Sequence, residues 1–475
     1  MLPSWRRWGD VTNEGAQGIM KSVHPRTPGC NRRRFLQCAL GGTGMFWLSG
    51  GPQVLGASRE RQRLRVAVIG CGGAGTGCVG VAVQERLMAL VDVDERKLAA
   101  AWRAATSFGH QPRVFRDYRK MLEACGNELE AVFIATPDHH HAPAAIRALS
   151  LGKPVFVEKP LAFTLGEART LRLAGRRAMV PTQMGNQGHS QDGYRLLCEH
   201  IWAGAIGAVK EVHCLLERDP VPQAELTNAR TPPPWLEWDL WLGPAASREY
   251  QPGLHPAGWR MHPDFGNGVL GDMGCHGLDG AFWALKLWQV ETFTVECLAQ
   301  TKAPAGCHAT DNVICWRIPE RKDFPAVSIY SYDTRWPAKI RALEQQLGEK
   351  LRGGTLYFGE KGMMFTGPNG EGPRFLPSSE HDAFRKPKQT IERPGKNIYQ
   401  EFLEACRGKK PASSNFETAG PLTEFVLTGA LASRLGVGQR ITWDSSNLQA
   451  VGCPEAQALV RRTYRAGWEV EELSS

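Results

Sequence analysis

The sequence predicts an α/β protein in which a doubly wound parallel sheet precedes a second, α+β domain with a large, open, mostly antiparallel sheet. Three observations carry this expectation. A β-branched run, LRVAVIG at 64–70, feeds directly into a glycine-rich turn. Short apolar strands then alternate with helical segments, the pattern that builds parallel sheets. Later runs such as DNVICWRI, AVSIYSYD and TLYFGEKGMMF alternate or carry turn glycines, as antiparallel strands do.

Taken in chain order, residues 1–57 read as a leader. Arg32, Arg33 and Arg34 precede a glycine-rich apolar stretch that ends in small residues near Gly56 and Ala57. That is the layout of a secretory signal, and Arg32 and Arg33 followed by Phe35 and Leu36 resemble the twin-arginine motif. The expectation is export, with a periplasmic location, a mature chain from about residue 58, and membrane contact only through the export machinery.

Residues 58–182 are expected to form a dinucleotide-binding domain. Gly70, Gly72 and Gly75 stand in G-x-G-x-x-G spacing, with Gly73 and Ala74 inside the same turn. Gly70 permits the turn, Gly72 lets backbone approach a pyrophosphate, and Gly75 allows close packing of helix on strand. Asp92 closes the second strand, MALVDVD, where a carboxylate accepts both ribose hydroxyls and repels a 2'-phosphate. NAD is therefore expected; Arg96, four residues on, leaves NADP open.

Strands LEAVFIATP at 129–137 and KPVFVEKP at 153–160 follow, with the helix APAAIRALSLG between them. Ligands of such sheets bind beyond the carboxyl ends of the strands. Thr136, Pro137, Asp138, His139, His141, Glu158 and Lys159 all fall there, and are candidates to meet the cofactor. Residues 183–475 are assigned to a second domain, with the terminal helices expected to pack back on the first.

Several functions are disfavoured. The composition, 42% hydrophobic and 22% charged, is that of a globular protein. Part of the +9 formal charge sits in the leader, and no finger or RNA-binding signature is present, so nucleic acid is not an expected partner. Thirteen cysteines include no CxxC pair, which leaves zinc knuckles unsupported. GDMGCH at 271–276 brings Asp272, Cys275 and His276 together, but no metal is assigned. If 270–285 is helical, Asp272, His276 and Asp279 share one polar face.

These segments together resemble the glucose-fructose oxidoreductase and inositol dehydrogenase (Gfo/Idh/MocA) family. The resemblance rests on VAVIGCGGAG, ATPDHHHAPAA, VEKPLA, QMGNQGHS, GDMGCHGLD, SNF at 414–416, PLTEFVLTGALASRLG and YRAGW. It implies an N-terminal Rossmann domain, a C-terminal domain around an open sheet, an active site between them, and a homo-oligomer. The family's lysine matches Lys159, and its aspartate and histidine match Asp272 and His276.

On that basis His276 is expected to take a hydroxyl proton, Asp272 to orient it or hold a neighbouring hydroxyl, and Lys159 to stabilise charge on the reacting oxygen. His189, Trp259 and Arg260 are substrate-side candidates, with Tyr332 and Asp333 behind them. The expected function is NAD(P)-dependent hydride transfer at a sugar or cyclitol carbon, with tightly bound cofactor. Two alternatives stand beside it: a redox-neutral, NAD-dependent glycoside hydrolase, and a non-enzymatic binder of sugar or nucleotide.

Overall fold

The protein is described by a computed structural model covering residues 63–218, 229–304, 306–378 and 387–474. The expected leader and its arginine pair lie outside the described residues.

The first sheet is built from β1 (Arg65–Ile69), α1 (Gly75–Ala82), β2 (Arg86–Val91), α2 (Glu95–Ser107), β3 (Arg113–Phe115) and α3 (Tyr118–Cys125). It continues through β4 (Ala131–Ile134), α4 (His141–Ser150), β5 (Val155–Val157), α5 (Leu165–Ala178) and β6 (Thr182–Met184). The six strands run in the order β3-β2-β1-β4-β5-β6, all parallel. β4 and β5 are buried at every position, as strands covered on both faces by helices must be. The order reverses between β1 and β4, and that is where a crevice opens at the strand ends. β6 carries this sheet through residue 184, past the boundary at 182 drawn from sequence, because Thr182, Gln183 and Met184 pair with Val155, Phe156 and Val157.

Among the described residues the second sheet has nine strands. α6 (Asp192–Trp202) leads into β7 (Val209–Leu215), and α7 (Gly268–Gly277) and α8 (Asp279–Ala284) precede β8 (Thr292–Ala299), β9 (Val313–Ile318) and β10 (Val327–Tyr332). β11 (Gly354–Gly359), β12 (Met363–Thr366) and β13 (Arg374–Leu376) form a meander. After α9 (Ile398–Cys406) and α10 (Phe416–Leu435) come β14 (Arg440–Asp444) and β15 (Gln449–Val451). The order is β13-β12-β11-β7-β10-β9-β8-β14-β15, antiparallel except for the β7/β10 pair. β8 and β14 alternate buried and exposed positions, the mark of a sheet with one solvated face.

α10 fixes the two sheets together. Fourteen of its twenty residues are buried, so it behaves as an interior helix rather than an amphipathic one. It packs on α5 of the first domain and on α7 and β8 of the second. Arg169 of α5 forks onto Glu424 of α10 at 2.8 and 2.6 Å. That placement sets α7 against the carboxyl ends of β4 and β5, where Lys159 meets Asp272.

Candidate active site

The site begins at the glycine turn after β1. Gly70 has φ +86°, and a Cβ there would lie 2.5 Å from the Ala135 carbonyl oxygen. A Cβ on Gly75 would lie 2.0 Å from the Gly70 oxygen, so the helix can start this close to the strand only with glycine at both positions. No side chain caps α1, and a helix N-terminus in this position suits phosphate.

At one end of the turn stands Asp92. Its Oδ2 accepts from the Cys71 N–H at 2.7 Å and its Oδ1 from the Asp94 N–H at 2.9 Å. These bonds aim the carboxylate into a cavity of about 350 Å³ that runs from the glycine turn across to α7. Lys97 and Arg116 border the same end. Over it lies an arm of the second domain: Leu236 bridges Asp94, Trp235 accepts from the Glu95 N–H at 3.0 Å, and His255 Nε2 lies 2.8 Å from Asp94 Oδ2.

At the far end the first domain contributes Thr136, Pro137, Asp138, Glu158 and Lys159. The second contributes Trp259, Arg260 and Asp272. Lys159 Nζ donates to the Asp272 backbone oxygen at 2.6 Å and to Oδ1 at 2.9 Å. Arg260 Nε donates to Oδ1 at 3.3 Å. Arg218 Nε lies 3.2 Å from Oδ2 without the alignment of a hydrogen bond. Burial alone would raise the Asp272 carboxyl; the Lys159 and Arg260 charges override it and hold the group well below the ordinary carboxylate range.

Asp138 is the opposite case. Burial pushes its carboxyl up to about 7, with the Arg260 charge pulling it back only in part. His276, one turn beyond Asp272, is driven down to about 3 by burial and then by the Lys159 charge. Its Nδ1 is buried and has no hydrogen-bond partner among the described residues.

With this geometry in view, comparison with known proteins is informative. Residues 64–185 match the oxidoreductase family with an NAD-binding Rossmann fold, Gfo/Idh/MocA. Residues 221–319 match the C-terminal alpha/beta domain of the same family. The matches support the Gfo/Idh/MocA family. An inositol 2-dehydrogenase of Burkholderia ambifaria is 30% identical over 170 residues, 35% of this chain and 49% of the relative. The match thus spans about half the length of that curated relative.

Among solved structures, an inositol dehydrogenase homolog complexed with NAD+ from Azotobacter vinelandii has TM-score 0.56 at 18% identity, covering 82% of this chain and 100% of that one. The WlbA dehydrogenase from Bordetella pertussis, in complex with NADH and UDP-GlcNAcA, has TM-score 0.55 at 19% identity, covering 80% and 98%. At such identity both establish a shared fold. That fold is a parallel Rossmann-like sheet followed by a mixed, mostly antiparallel one.

Most residues expected from the Gfo/Idh/MocA pattern meet in the cavity: Gly70, Gly72, Gly73, Ala74, Asp92, Thr136, Pro137, Glu158, Lys159, Trp259, Arg260 and Asp272 all border it. Several do not. Gly75 packs under Gly70 instead of lining the space. Arg96 forks onto Asp94 at 3.0 and 2.9 Å and stacks on Trp235, so it braces the arm and is not the residue facing the ribose end. His139 turns its Nε2 to the Trp241 carbonyl at 3.0 Å. His141 is held between the Pro160 and Thr136 carbonyls at 2.7 and 2.9 Å. Both are buried, and neither borders the cavity.

The single polar face expected over 270–285 is broken at Leu278, where α7 ends and α8 begins. Asp279 pairs with Asn186 and His189, each at 3.0 Å. His189 stacks on Trp283 and borders a second cavity of about 880 Å³, which removes it from the substrate side of the first. His276 lies outside the residues that border the dinucleotide cavity. Tyr332 packs with Trp336 and meets His213, and Asp333 holds Asn312; neither reaches the cavity. Cys275 is fully buried near Thr423.

Sequence reading missed Lys97, Arg116, His255 and Trp468, which also border the cavity. Lys97 had a signal, lying one residue beyond Arg96. His255 and Trp468 had none, because they arrive from segments far along the chain.

Proposed function

We propose that this chain is an NAD(P)-dependent oxidoreductase that transfers hydride at a carbon of a sugar or cyclitol, holding its cofactor tightly. The observation that carries the reading is one cavity with the glycine turn and Asp92 at one end and the Lys159–Asp272 pair at the other. A dinucleotide suits the wall between them. Gly72 and Gly73 expose backbone there, and Thr136 Oγ1 is buried with no protein partner. When bound, the nicotinamide supplies the hydride acceptor or donor.

The remaining work falls to side chains. Lys159, steered by Asp272, donates to the reacting oxygen and stabilises the charge that grows on it. Its side chain is only 16% exposed, so that stabilisation is weakly screened. The family resemblance makes His276, neutral at working pH and behind the residues that border the cavity, the group that would receive the hydroxyl proton. Asp92 accepts from the ribose hydroxyls, and the Trp235–His255 arm covers that end of the cofactor.

The arm favours a second reading, NAD-dependent glycoside cleavage through transient oxidation, elimination, hydration and reduction. A cofactor that never leaves suits such a cycle. It also suits the export proposed from Arg32 and Arg33, since nicotinamide nucleotides are pooled in the cytoplasm.

Both readings are tested on purified protein. Bound nucleotide is released by denaturation and identified. The native protein is then offered a panel of sugars, cyclitols and nitrophenyl glycosides while reduced nicotinamide and nitrophenol are followed by absorbance. Reduction of bound cofactor supports the dehydrogenase, and nitrophenol release without net reduction supports the glycosidase. A protein that binds neither NAD nor NADP overturns both.

A further inference from the structure

We propose that Asp138 is the proton store of the site: the proton leaving the substrate hydroxyl ends on its carboxylate while the reduced cofactor is held. This inference rests on the oxidoreductase reading and adds a residue to it.

A retained cofactor imposes a requirement on the protein. Oxidation of a CH–OH carbon breaks its C–H bond and its O–H bond and leaves C=O. The C–H electron pair leaves as hydride to NAD+, and the hydroxyl proton must go to a base. If the hydride is later returned inside a covered cavity, the proton has to be kept at hand as well.

Asp138 has the placement for this. It follows β4, on the side of the β1/β4 crevice opposite Asp92. It therefore lies at the nicotinamide end, with Lys159. Its side chain is 4% exposed yet borders the cavity. The groups that face it are Lys159 after β5, Arg260 in the 258–261 turn, and Asp272 and Asn267 around α7. Asn267 is held by donating its Nδ2 hydrogen to the Phe163 carbonyl at 3.1 Å.

The neighbours are unsuited to storage. Lys159 is tied to Asp272 at 2.9 Å, and Asp272 is held ionised by three cations. His276, driven down to about 3 by burial, is protonated only at a large cost near neutral pH. It can pass a proton on but not keep it. Glu158 is raised by burial too, but its carboxylate faces Tyr399 and the Lys159 backbone N–H. Asp138, at about 7, changes protonation with least cost at neutral pH.

Two measurements on the full chain test this, and neither requires turnover. The first is infrared titration of the carboxylic acid band in the protein and in Asp138→Asn, with Glu158→Gln as control. The expected result is a protonated carboxyl titrating near neutrality that vanishes in Asp138→Asn and survives in Glu158→Gln. The second is the pH dependence of NAD+ and NADH affinity, read from quenching of the tryptophans around the cavity. An ionised Asp138 favours the cationic nicotinamide, so preference should shift toward NAD+ by about fivefold or more as pH rises through 7. In Asp138→Asn it should stay flat.

A band unchanged by Asp138→Asn, or the same pH dependence in both proteins, overturns the proposal. Binding of neither nucleotide would instead overturn the oxidoreductase reading, while the infrared titration would still decide whether Asp138 holds a proton.

Discussion

Asp272→Asn gives the sharpest test of the site's electrostatics. The substitution keeps size and shape but removes the anion around which Lys159, Arg260 and Arg218 gather. Breaking a buried ion pair by removing one partner costs roughly 3–5 kcal/mol. Here the cationic side chains are 16%, 26% and 43% exposed, so water recovers part of that loss, most of all at Arg218. The low end, about 3 kcal/mol, is expected, lowering the thermal transition by roughly 3–4 °C for a chain of this size.

The sign with pH is fixed by the depressed carboxyl. A group whose folded value lies below its ordinary 3.8 stabilises fully above that pH and loses its contribution as pH falls toward the folded value. The gap between protein and variant should therefore hold from about pH 8 to about pH 4 and close below it. Differential scanning fluorimetry across that range checks both statements. Equal transitions at neutral pH, or a gap that persists unchanged into strong acid, would refute the ion cluster as a stabilising unit.

Three further outcomes are expected. Gly75→Ala places a Cβ 2.0 Å from the Gly70 oxygen and should weaken NADH binding at least about tenfold by forcing α1 off the turn, whereas Gly73→Ala meets no atom within 4 Å and should cost only about 1–2 kcal/mol of left-handed strain; fluorescence titration and thermal shift separate them. Arg96→Ala should leave the NAD to NADP affinity ratio unchanged, because Arg96 is spent on Asp94 and Trp235, while Lys97→Ala should lower NADP affinity several-fold if Lys97 is the cation at the ribose end; paired titrations with both nucleotides decide this. His255→Ala removes the 2.8 Å contact of the arm to Asp94 and should speed NADH release about tenfold, measured by stopped-flow displacement; an unchanged rate would mean the arm does not retain the cofactor.

Much of this site is local, and local features are legible. The strand, the glycine turn and Asp92 fall within 64–92, and their spacing states the steric need for glycine that the Gly70 and Gly75 contacts display. Helical spacing also gave Asp272 and His276 a common side, but it could not show that α7 stops at Gly277. Leu278 joins two short helices, and Asp279 pairs with His189 at a different cavity. The histidine triplet at 139–141 illustrates a second limit. Polar residues at a strand end look like ligand contacts until their partners are known. Here two of them serve the Trp241, Pro160 and Thr136 carbonyls, which are buried and need donors.

The sequence by itself determined the alternation of strand and helix in the first domain and the dinucleotide turn, because each follows from short-range pattern, while Lys159 and Asp272 were singled out by family motif. Tertiary structure alone decided that Lys159 and Asp272 touch, that Arg218 and Arg260 share the same carboxylate, and that an arm carrying Trp235 and His255 closes over Asp94. It also decided which acids are ionised. Desolvation and neighbouring charge are properties of position in space: two aspartates of identical chemistry, Asp138 and Asp272, are moved in opposite directions within one cavity.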